Sequence, residues 1–371
     1  METTDINKPH KIFAEVVDFK AMDQFRSAMN QPFSVKGALM PDVHCGYSLP
    51  IGSVVATQDV IVPAWVGYDI GCGMCALPTT YSVEEVSAAA QKIFTGIYEV
   101  IPVGFNHNSK ATAWPEADKL PKSTIMKEIF DNGGLYHLGT LGGGNHFIEI
   151  GHSEDNIVWI IIHSGSRGIG HSLAKHYMSL ASGGKGAKEG HFGLSTNSTE
   201  GKSYIDDLNF CLAFALENRL EMMRRVTRVI ESQLPGKANW DILINRNHNH
   251  AEQKDGLWIH RKGATHAEKG MMGVIPGNMF DGSFIVRGKG NPDSLWSSSH
   301  GAGRVLGRGE AKRTLSIVDF SEIMQGITAK VSEKTIDESP FAYKDIFTVM
   351  AQQESLLDVV AHVKPIINIK G

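Results

Sequence analysis

The amino-acid sequence predicts an α+β fold in which helices and strands follow one another irregularly. Apolar β-rich runs and amphipathic helical patterns are interleaved along the whole chain. The chain has no internal repeat and no regular strand–helix–strand rhythm, which disfavours a repeat architecture and a doubly wound parallel sheet. No linker separates the informative segments, so we expect a single catalytic domain over residues 1–371.

The first half of the chain begins with short strands and continues into a helix. Residues 51–56 and 60–62 are β-rich, and Pro63 ends the second run. Residues 82–99 predict a helix, because a serine can cap it, glutamates fill its first turn and apolar residues recur at helical spacing. Residues 105–122 are polar, and we expect a loop there.

The second half mixes buried strands with longer helices. The apolar run 157–162 predicts a buried strand that ends at His163. Helical periodicity covers 170–181 and 204–233, whereas the Gly-, Ser- and Lys-rich segment 182–202 predicts a mobile surface loop. The remaining predicted elements are strands at 241–244 and 257–259, a last helix at 343–362 and a last strand at 365–369.

Composition and charge restrict the class of protein. The 371 residues are 42% hydrophobic, which allows a substantial core, and the net charge is −4. That charge argues against broad, non-specific nucleic-acid binding but permits a local basic groove. The chain has no apolar run of the length that predicts a membrane span, and residues 1–5 lack the features of a signal peptide. We therefore expect a cytoplasmic protein without a membrane partner.

The four cysteines do not predict a disulfide framework, because they are few for a chain of this length. Cys72 and Cys75 form a C-x-x-C spacing, which is typical of a redox pair or of half a zinc site. The chain has no second C-x-x-C, which weakens the zinc-ribbon interpretation. The neighbouring Asp69 and glycines favour a metal ligand over a redox pair.

Six short blocks that combine glycine with Cys, His, Asp or Asn are the most informative feature of the sequence. Glycine lets the backbone approach a ligand closely or adopt a left-handed turn. Several such blocks in one chain predict one composite site. The blocks are Pro41-Asp42-Val43-His44-Cys45-Gly46, Asp69-Ile70-Gly71-Cys72-Gly73-Met74, Gly142-Gly143-Gly144-Asn145-His146-Phe147-Ile148-Glu149, His163-Ser164-Gly165-Ser166-Arg167-Gly168, Asn247-His248-Asn249 and Ser299-His300-Gly301-Ala302-Gly303-Arg304.

The second block predicts a metal site. Asp69 and Cys72 are three residues apart on a glycine-broken turn, where a carboxylate and a thiolate can bind one ion or two adjacent ions. His146, His163 and His248 complete a mixed donor set that suits Mn²⁺, Co²⁺ or Zn²⁺ better than Mg²⁺. Each histidine alone is more often a satisfied core or surface residue. The metal interpretation therefore depends on the five residues together.

The last block differs in kind. His300 stands among small residues, and Arg304 follows it. Backbone N–H groups of Gly301, Ala302 and Gly303 can cradle a phosphate, onto which an arginine can fork. A neutral imidazole in that setting can attack phosphorus and form a phosphoramidate. The alternative is a glycine-rich turn with an exposed histidine.

The chain contains no P-loop motif. On the predicted long helix, Arg219, Arg224, Arg225 and Arg228 are expected to form a solvated face.

The blocks closely resemble those of the RtcB family of RNA ligases, from about Pro41 to Lys370-Gly371. The combination of Asp-Ile-Gly-Cys-Gly-Met, Gly-Asn-His-Phe-Ile-Glu, His-Ser-Gly-Ser-Arg-Gly and Ser-His-Gly-Ala-Gly-Arg is highly specific. The resemblance implies a single α+β domain. It also implies GTP- and Mn²⁺-dependent joining of an RNA 3′-phosphate or 2′,3′-cyclic phosphate to a 5′-hydroxyl, in tRNA splicing or RNA repair, with an archease-type activator as a possible partner.

The resemblance also assigns roles to residues. It places a two-metal site on Asp69, Cys72, His146, His163 and His248, with Cys72 as the bridging thiolate, and it makes His300 the guanylylated residue. The guanosine and phosphate contacts fall on Asn145, Glu149, Asn278, Ser283, His300, Gly301, Ala302, Gly303, Tyr343 and Lys370.

Two motifs depart from the family pattern. The usual Pro-Gly-Ser-Met is Pro276-Gly277-Asn278-Met279 here, which alters one nucleotide contact. The usual Leu-Gly-Lys-Gly is Cys45-Gly46-Tyr47-Ser48, which lacks the basic residue. We expect a short, divergent paralogue that repairs cleaved RNA. Two alternatives are a metal-dependent cyclic-phosphate hydrolase or phosphodiesterase that does not ligate, and an RNA-binding or regulatory protein that has lost activity.

Overall fold

The computed structural model describes residues 5–184 and 186–371. Residues 1–4, on which most of the signal-peptide expectation rests, and Lys185 in the predicted mobile loop lie outside the described residues. No helix within the two described ranges is long and apolar enough to cross a membrane.

Strands and helices follow one another irregularly, as the sequence predicts. In chain order, the strands are β1 (His10–Ile12), β2 (Ser34–His44), β3 (Ile51–Thr57), β4 (Val60–Ile61), β5 (Gly73–Pro78), β6 (Phe147–His152), β7 (Val158–Ser164), β8 (Leu194–Ser195), β9 (Ile244–Asn247), β10 (Asn249–Lys254), β11 (Leu257–Lys262), β12 (Ala264–His266), β13 (Met272–Pro276), β14 (Ser283–Gly288), β15 (Ser297–Ser299), β16 (Thr328–Ala329) and β17 (Leu357–Lys370). The helices are α1 (Phe19–Met29), α2 (Pro63–Val66), α3 (Val83–Ala88), α4 (Ala90–Val100), α5 (Thr124–Asp131), α6 (Gly134–His137), α7 (Arg167–Ala181), α8 (Thr199–Glu231), α9 (Arg308–Thr314), α10 (Ile317–Ile323) and α11 (Ile346–Ala351).

Two sheets organise the molecule. The larger has the strand order β13-β14-β17-β6-β7-β5-β9, with β16 added to β17, and the smaller has the order β1-β2-β3-β11-β10. Most neighbouring strands are antiparallel, whereas β1–β2 and β16–β17 are parallel. Mainly antiparallel sheets with helices distributed around them confirm the predicted α+β class.

The register of the larger sheet determines what meets at one of its edges. Gly73, the first residue of β5, lies opposite Ser164 of β7 and Asn247 of β9. Phe147 of β6 lies opposite His163. This alignment brings the neighbouring chemistry-bearing residues to one edge of the sheet: Cys72, His146, His163 and His248.

The long helix α8 supports the larger sheet from one side. It begins after Ser198, whose hydroxyl accepts a hydrogen bond from Gly201 N at 3.0 Å. Its apolar positions are divided between two clusters, because the helix is long enough to pass from one to the other. The C-terminal half packs against the sheet with Met222, Met223, Val226 and Ile230, and the N-terminal half packs elsewhere with Tyr204, Leu208, Phe210 and Phe214.

Several predicted elements are confirmed. The predicted helix at 82–99 is present as α3 and α4, which meet at Ala89, and Ser82 caps α3 by accepting from Glu85 N. The predicted strand at 157–162 is β7, and it runs through His163 to Ser164. Burial of every residue in β7 explains its unbroken apolar pattern.

The predicted last helix at 343–362 is wrong. Only Ile346–Ala351 is helical there, and β17 begins at Leu357. Val359 pairs with Val286 of β14, and the β-branched side chains of this stretch suit an extended strand. Sheet pairing therefore outweighs the local helical pattern.

Two other boundaries differ from prediction. The predicted strand at 241–244 is mostly a 3₁₀ turn, Trp240–Ile242, and strand pairing begins at Ile244 opposite Ala76. The predicted loop at 182–202 contains β8, which pairs with β4, and the first turn of α8. The mobility of that loop stays a prediction.

Candidate metal and nucleotide site

The turn between α2 and β5 positions Asp69 and Cys72. Gly71 has a positive φ of 71°, and Cys72 N donates to Asp69 O at 3.2 Å. A side chain on Gly165 of the adjoining turn would come within 2.3 Å of Asp69 Oδ1. Glycine is therefore required at both positions for the carboxylate and the thiol to reach the same space.

Five predicted ligands meet there. Cys72 Sγ lies 3.4 Å from His146 Nε2 and 3.1 Å from His163 Nε2. His163 Nε2 lies 3.3 Å from His248 Nε2, and His146 Nε2 lies 3.1 Å from Asp69 Oδ2. The donor atoms thus converge from four separate segments of the chain, as the sequence predicts.

The donor set fits a transition-metal site. The Nδ1 atoms of His146 and His163 lie 2.9 and 3.1 Å from the carbonyl oxygens of Leu141 and Asn145. A carbonyl only accepts, so Nδ1 carries the proton and each Nε2 lone pair faces the cluster. Burial lowers the pKa of both His163 and His248 well below the usual range, which keeps these imidazoles neutral. Neutral imidazoles beside a thiol and a carboxylate are ligands for borderline divalent ions.

His300 lies beside this cluster, with its ring centroid 4.9 Å from that of His248. Its Nδ1 lies 2.6 Å from Asp42 Oδ2, and the carboxyl group of Asp42 is fully buried. The same oxygen accepts from the backbone N–H groups of His300 and Gly301. Because a carboxylate only accepts, Nδ1 carries the proton, so the lone pair of the neutral ring is on Nε2.

A cavity of about 220 Å³ adjoins His300. Gly303, with a positive φ of 75°, packs against the backbone of Asp42, where a side chain would come within 2.3 Å of the carbonyl oxygen. Nine of the ten residues predicted to contact the nucleotide line the cavity: Asn145, Glu149, Asn278, His300, Gly301, Ala302, Gly303, Tyr343 and Lys370.

Comparison with known proteins decides the family. The family model described as tRNA-splicing ligase RtcB matches residues 24–133 and 116–371. The chain belongs to the RtcB family. It is 36% identical to RNA-splicing ligase RtcB of Escherichia coli K12 over 410 residues, which covers 99% of this chain and 98% of that protein.

More distant RtcB proteins also match over most of their length. tRNA-splicing ligase RtcB of Aeropyrum pernix is 30% identical over 90% of this chain and 87% of its own. RNA-splicing ligase RtcB2 of another Escherichia coli strain is 28% identical over 96% of this chain and 93% of its own. The resemblance inferred from the sequence blocks is thus confirmed.

Ser283, the tenth predicted nucleotide contact, is not among the lining residues of the cavity in this RtcB chain and instead hydrogen-bonds to Glu149. Its hydroxyl donates to Glu149 Oε1 at 2.9 Å, and Asn368 Nδ2 lies 3.3 Å from Oε2. Burial raises the pKa of Glu149 to about 7 despite these bonds. A ligand with two N–H donors would therefore find a desolvated, oriented carboxylate.

Glu338 is a site residue that sequence reasoning missed. It accepts from Tyr343 Oη at 2.7 Å, Lys370 Nζ at 2.9 Å and Arg308 at 2.6 Å. Although burial raises its pKa, Lys370 and Arg308 outweigh that effect and hold the pKa of Glu338 at about 2. No local pattern marks Glu338, because its cationic partners, Arg308 and Lys370, come from distant segments of the RtcB fold.

Asn278, where the family usually has serine, turns its side chain toward its own loop. Its Oδ1 accepts from Phe280 N and Asp281 N at 2.9 Å, and its Nδ2 donates to Asp281 Oδ2 at 2.6 Å. This Asx-type turn uses both ends of the amide. Asp42 is the other site residue that was missed. The sequence analysis placed it in one of the six glycine-containing blocks but assigned it no role.

The expected solvated arginine face of α8 is wrong for Arg219. That residue is completely buried beneath the metal cluster, whereas Arg224 is 37% exposed and pairs with Glu217. The C-x-x-C residues also separate. All four cysteines are free thiols, and Cys75 packs in the apolar cluster behind the sheet while Cys72 faces the histidines.

We expect Cys72→Ser to lose at least one Mn²⁺ per chain, because a serine hydroxyl stays protonated at neutral pH and is a poor bridging ligand. Cys75→Ser is the matched control and should keep its metal content. Native mass spectrometry or elemental analysis counts the ions. Equal losses at both positions would contradict the assignment of Cys72 and favour the C-x-x-C interpretation.

Proposed function

We propose that this protein is a GTP- and Mn²⁺-dependent RNA ligase that joins a 3′-phosphate or 2′,3′-cyclic phosphate end to a 5′-hydroxyl end. The observation that carries the proposal is the position of His300. His300 adjoins the cluster of proposed metal ligands through His248 and also lines the cavity of about 220 Å³. Membership of a family described as tRNA-splicing ligases supports the reaction class.

The metal cluster is proposed to hold two Mn²⁺ ions on Asp69, Cys72, His146, His163 and His248. Bound there, the ions would supply Lewis acidity at the reacting phosphate and neutralise charge on the attacking and leaving oxygens. Carboxylate, thiolate and imidazole donors suit Mn²⁺, Co²⁺ or Zn²⁺, and the family resemblance favours Mn²⁺ among them.

The first chemical step uses His300 as a nucleophile. Nε2 attacks the α-phosphorus of GTP, the N–P bond forms, and the bond to the β-phosphate oxygen breaks, which releases pyrophosphate. Asp42 keeps the proton on Nδ1 and offsets the positive charge that develops on the ring. Gly301, Ala302 and Gly303 line the cavity next to His300, where their backbone would adjoin the reacting phosphate.

The later steps transfer the guanylyl group. A 3′-phosphate oxygen of RNA attacks the phosphorus of the His300 adduct, and the N–P bond breaks. The resulting RNA end carries GMP as a leaving group. His300 is already regenerated at this point, because its N–P bond has broken. The 5′-hydroxyl then loses its proton and attacks the RNA phosphorus, and GMP departs. A 2′,3′-cyclic phosphate must first be opened by water.

Guanine selection is proposed to depend on Glu149. An ionised carboxylate accepts from two adjacent donors, which guanine presents at N1–H and its exocyclic amine and adenine does not. Burial disfavours the ionised form of Glu149. A base that donates two hydrogen bonds to this carboxylate would offset that cost, whereas a base without them would not. Lys370 and Tyr343, held by Glu338, complete the wall of the cavity.

RNA is proposed to approach through a second cleft of about 1170 Å³ that shares His44, Ile51, Arg304 and Arg308 with the nucleotide cavity. Tyr47 on its wall is 78% exposed. An exposed aromatic ring on a fixed backbone can stack on a base. We place the reaction in the cytoplasm, with an archease-type protein as a possible activator.

We expect His300→Ala to abolish the protein–GMP adduct while metal binding persists, because the nucleophile is lost and the ligands are intact. Incubation with α-labelled GTP, followed by denaturing electrophoresis, measures the adduct. An undiminished adduct would refute the assignment of His300. A wild-type protein that opens cyclic phosphates but never forms an adduct would instead favour the hydrolase alternative.

Asp42→Asn should slow adduct formation by about 100-fold or more, since the amide no longer selects the reactive tautomer of His300. Single-turnover labelling with GTP gives the rate. Asp345→Asn on the wall of the RNA cleft is the control and should leave that rate unchanged. An unaltered rate in Asp42→Asn would mean that His300 is oriented by other groups.

We expect a nick within a structured RNA to be sealed far better than two free strands are joined. The chain is acidic overall and lacks the usual basic residue near Gly46, so we expect few phosphate contacts away from the break. The RNA fold then supplies the proximity of the ends. Ligation of one broken hairpin is compared with that of two unpaired oligonucleotides at equal concentration. Comparable rates would contradict the repair interpretation.

A further inference from the structure

Arg219 donates hydrogen bonds to residues that adjoin three of the proposed metal ligands. Its NH1 group donates to Gly71 O and to Ser164 O, both at 2.8 Å. Its NH2 group donates to Asn247 Oδ1 at 2.7 Å. In sequence, these three acceptors directly adjoin Cys72, His163 and His248. One guanidinium group therefore contacts a sequence neighbour of each of these three ligands.

The Nε–H donor of Arg219 is also used. Arg219 Nε donates to Asn245 Oδ1 at 2.7 Å, and Asn245 Nδ2 donates back to Leu216 O on α8 at 3.0 Å. Arg219 is completely buried, and burial lowers its pKa only to about 10. A charged, planar guanidinium with four of its five N–H donors hydrogen-bonded has little freedom to move.

The preceding residue of α8 extends the same support to the fourth ligand-bearing segment. Asn218 Nδ2 donates to Thr140 O and Gly165 O, both at 3.1 Å, and its Oδ1 accepts from Gly139 N at 2.7 Å. This loop continues to Leu141, whose carbonyl orients His146. Through Arg219 and Asn218, helix α8 therefore hydrogen-bonds to a residue near each of the three histidines in the cluster.

The sheet alone does not explain this arrangement. Strand pairing aligns β5 with β7 and β9 from Gly73 onward. Beyond Gly73, only single backbone hydrogen bonds join the two turns, from His248 N to Cys72 O at 2.7 Å and from Gly71 N to Asn249 O at 2.8 Å. Arg219 binds Gly71, Ser164 and Asn247 where the pairing ends, so its side chain adds a link among three segments that these backbone bonds join only in pairs.

We propose that Arg219 is a positioning residue that holds Cys72, His163 and His248 at the mutual spacing needed for a thiolate-bridged metal cluster. The inference rests on the proposed metal site and goes beyond it, because it assigns the geometry of the cluster to a helix residue outside it. Residues that orient metal ligands typically contribute about 10- to 100-fold to metal affinity.

The test compares Arg219→Lys with Arg224→Met, a control on the same helix whose arginine is 37% exposed. Lysine keeps the charge but cannot serve four acceptors in a plane. The probe is Co²⁺ alone, followed by titration calorimetry and by the thiolate-to-cobalt charge-transfer absorption. We expect Arg219→Lys to bind Co²⁺ about 10-fold or more weakly, with a reduced absorption band, and Arg224→Met to match the wild type.

Circular dichroism and thermal unfolding of the metal-free proteins separate positioning from folding. If Arg219→Lys does not fold, Asn247→Ala decides, because it removes only the acceptor beside His248. Weaker Co²⁺ binding by that variant with intact secondary structure would support the proposal. Wild-type affinity and absorption in a folded Arg219→Lys or Asn247→Ala variant would overturn it. A wild-type protein without any thiolate–cobalt band would instead refute the proposed metal site.

Discussion

The alignment of β7, β5 and β9 at Gly73 is the constraint on which the rest of the site depends. A sheet register is specified residue by residue, since a shift of one position moves every side chain to the opposite face. Here the register places a thiol and three imidazoles at one edge, although they are separated by up to 176 positions in sequence, from Cys72 to His248. Turn glycines then allow the groups to approach within contact distance.

Buried charge is the second organising feature, and each buried charge has defined partners. Asp42 is fully buried and accepts a hydrogen bond from His300. Glu338 contacts two cations, Arg308 and Lys370, and the phenol of Tyr343. Desolvated groups interact strongly but are costly when unpaired, so such networks hold their members in one arrangement. The proposed nucleotide cavity is therefore preorganised, as the electrostatic stabilisation of the proposed phosphoryl transfer requires.

Each of the two sheets positions a different part of the site. The larger sheet positions the proposed metal ligands and Glu149, and the smaller sheet supplies Asp42 and His44 at the end of β2. His300 follows β15, which pairs with β12. His300, the proposed nucleophile, is thus held by Asp42 of the smaller sheet and lies beside His248, which follows a strand of the larger one. Such a reactive centre cannot be assembled from a single local segment.

The sequence by itself determined the α+β class and the family, and it singled out the five residues that meet in the cluster, because glycine-rich blocks with unusual donors can be recognised without knowledge of contacts. It could not determine whether residues 357–362 form a helix or a strand, since pairing with β14 decides that. It also misjudged Arg219, which has the spacing of a surface residue but lies against Gly71 and Ser164. Glu338 and the role of Asp42 became visible only in three dimensions. Their functions consist of contacts between distant segments, and a linear pattern does not record which segments meet.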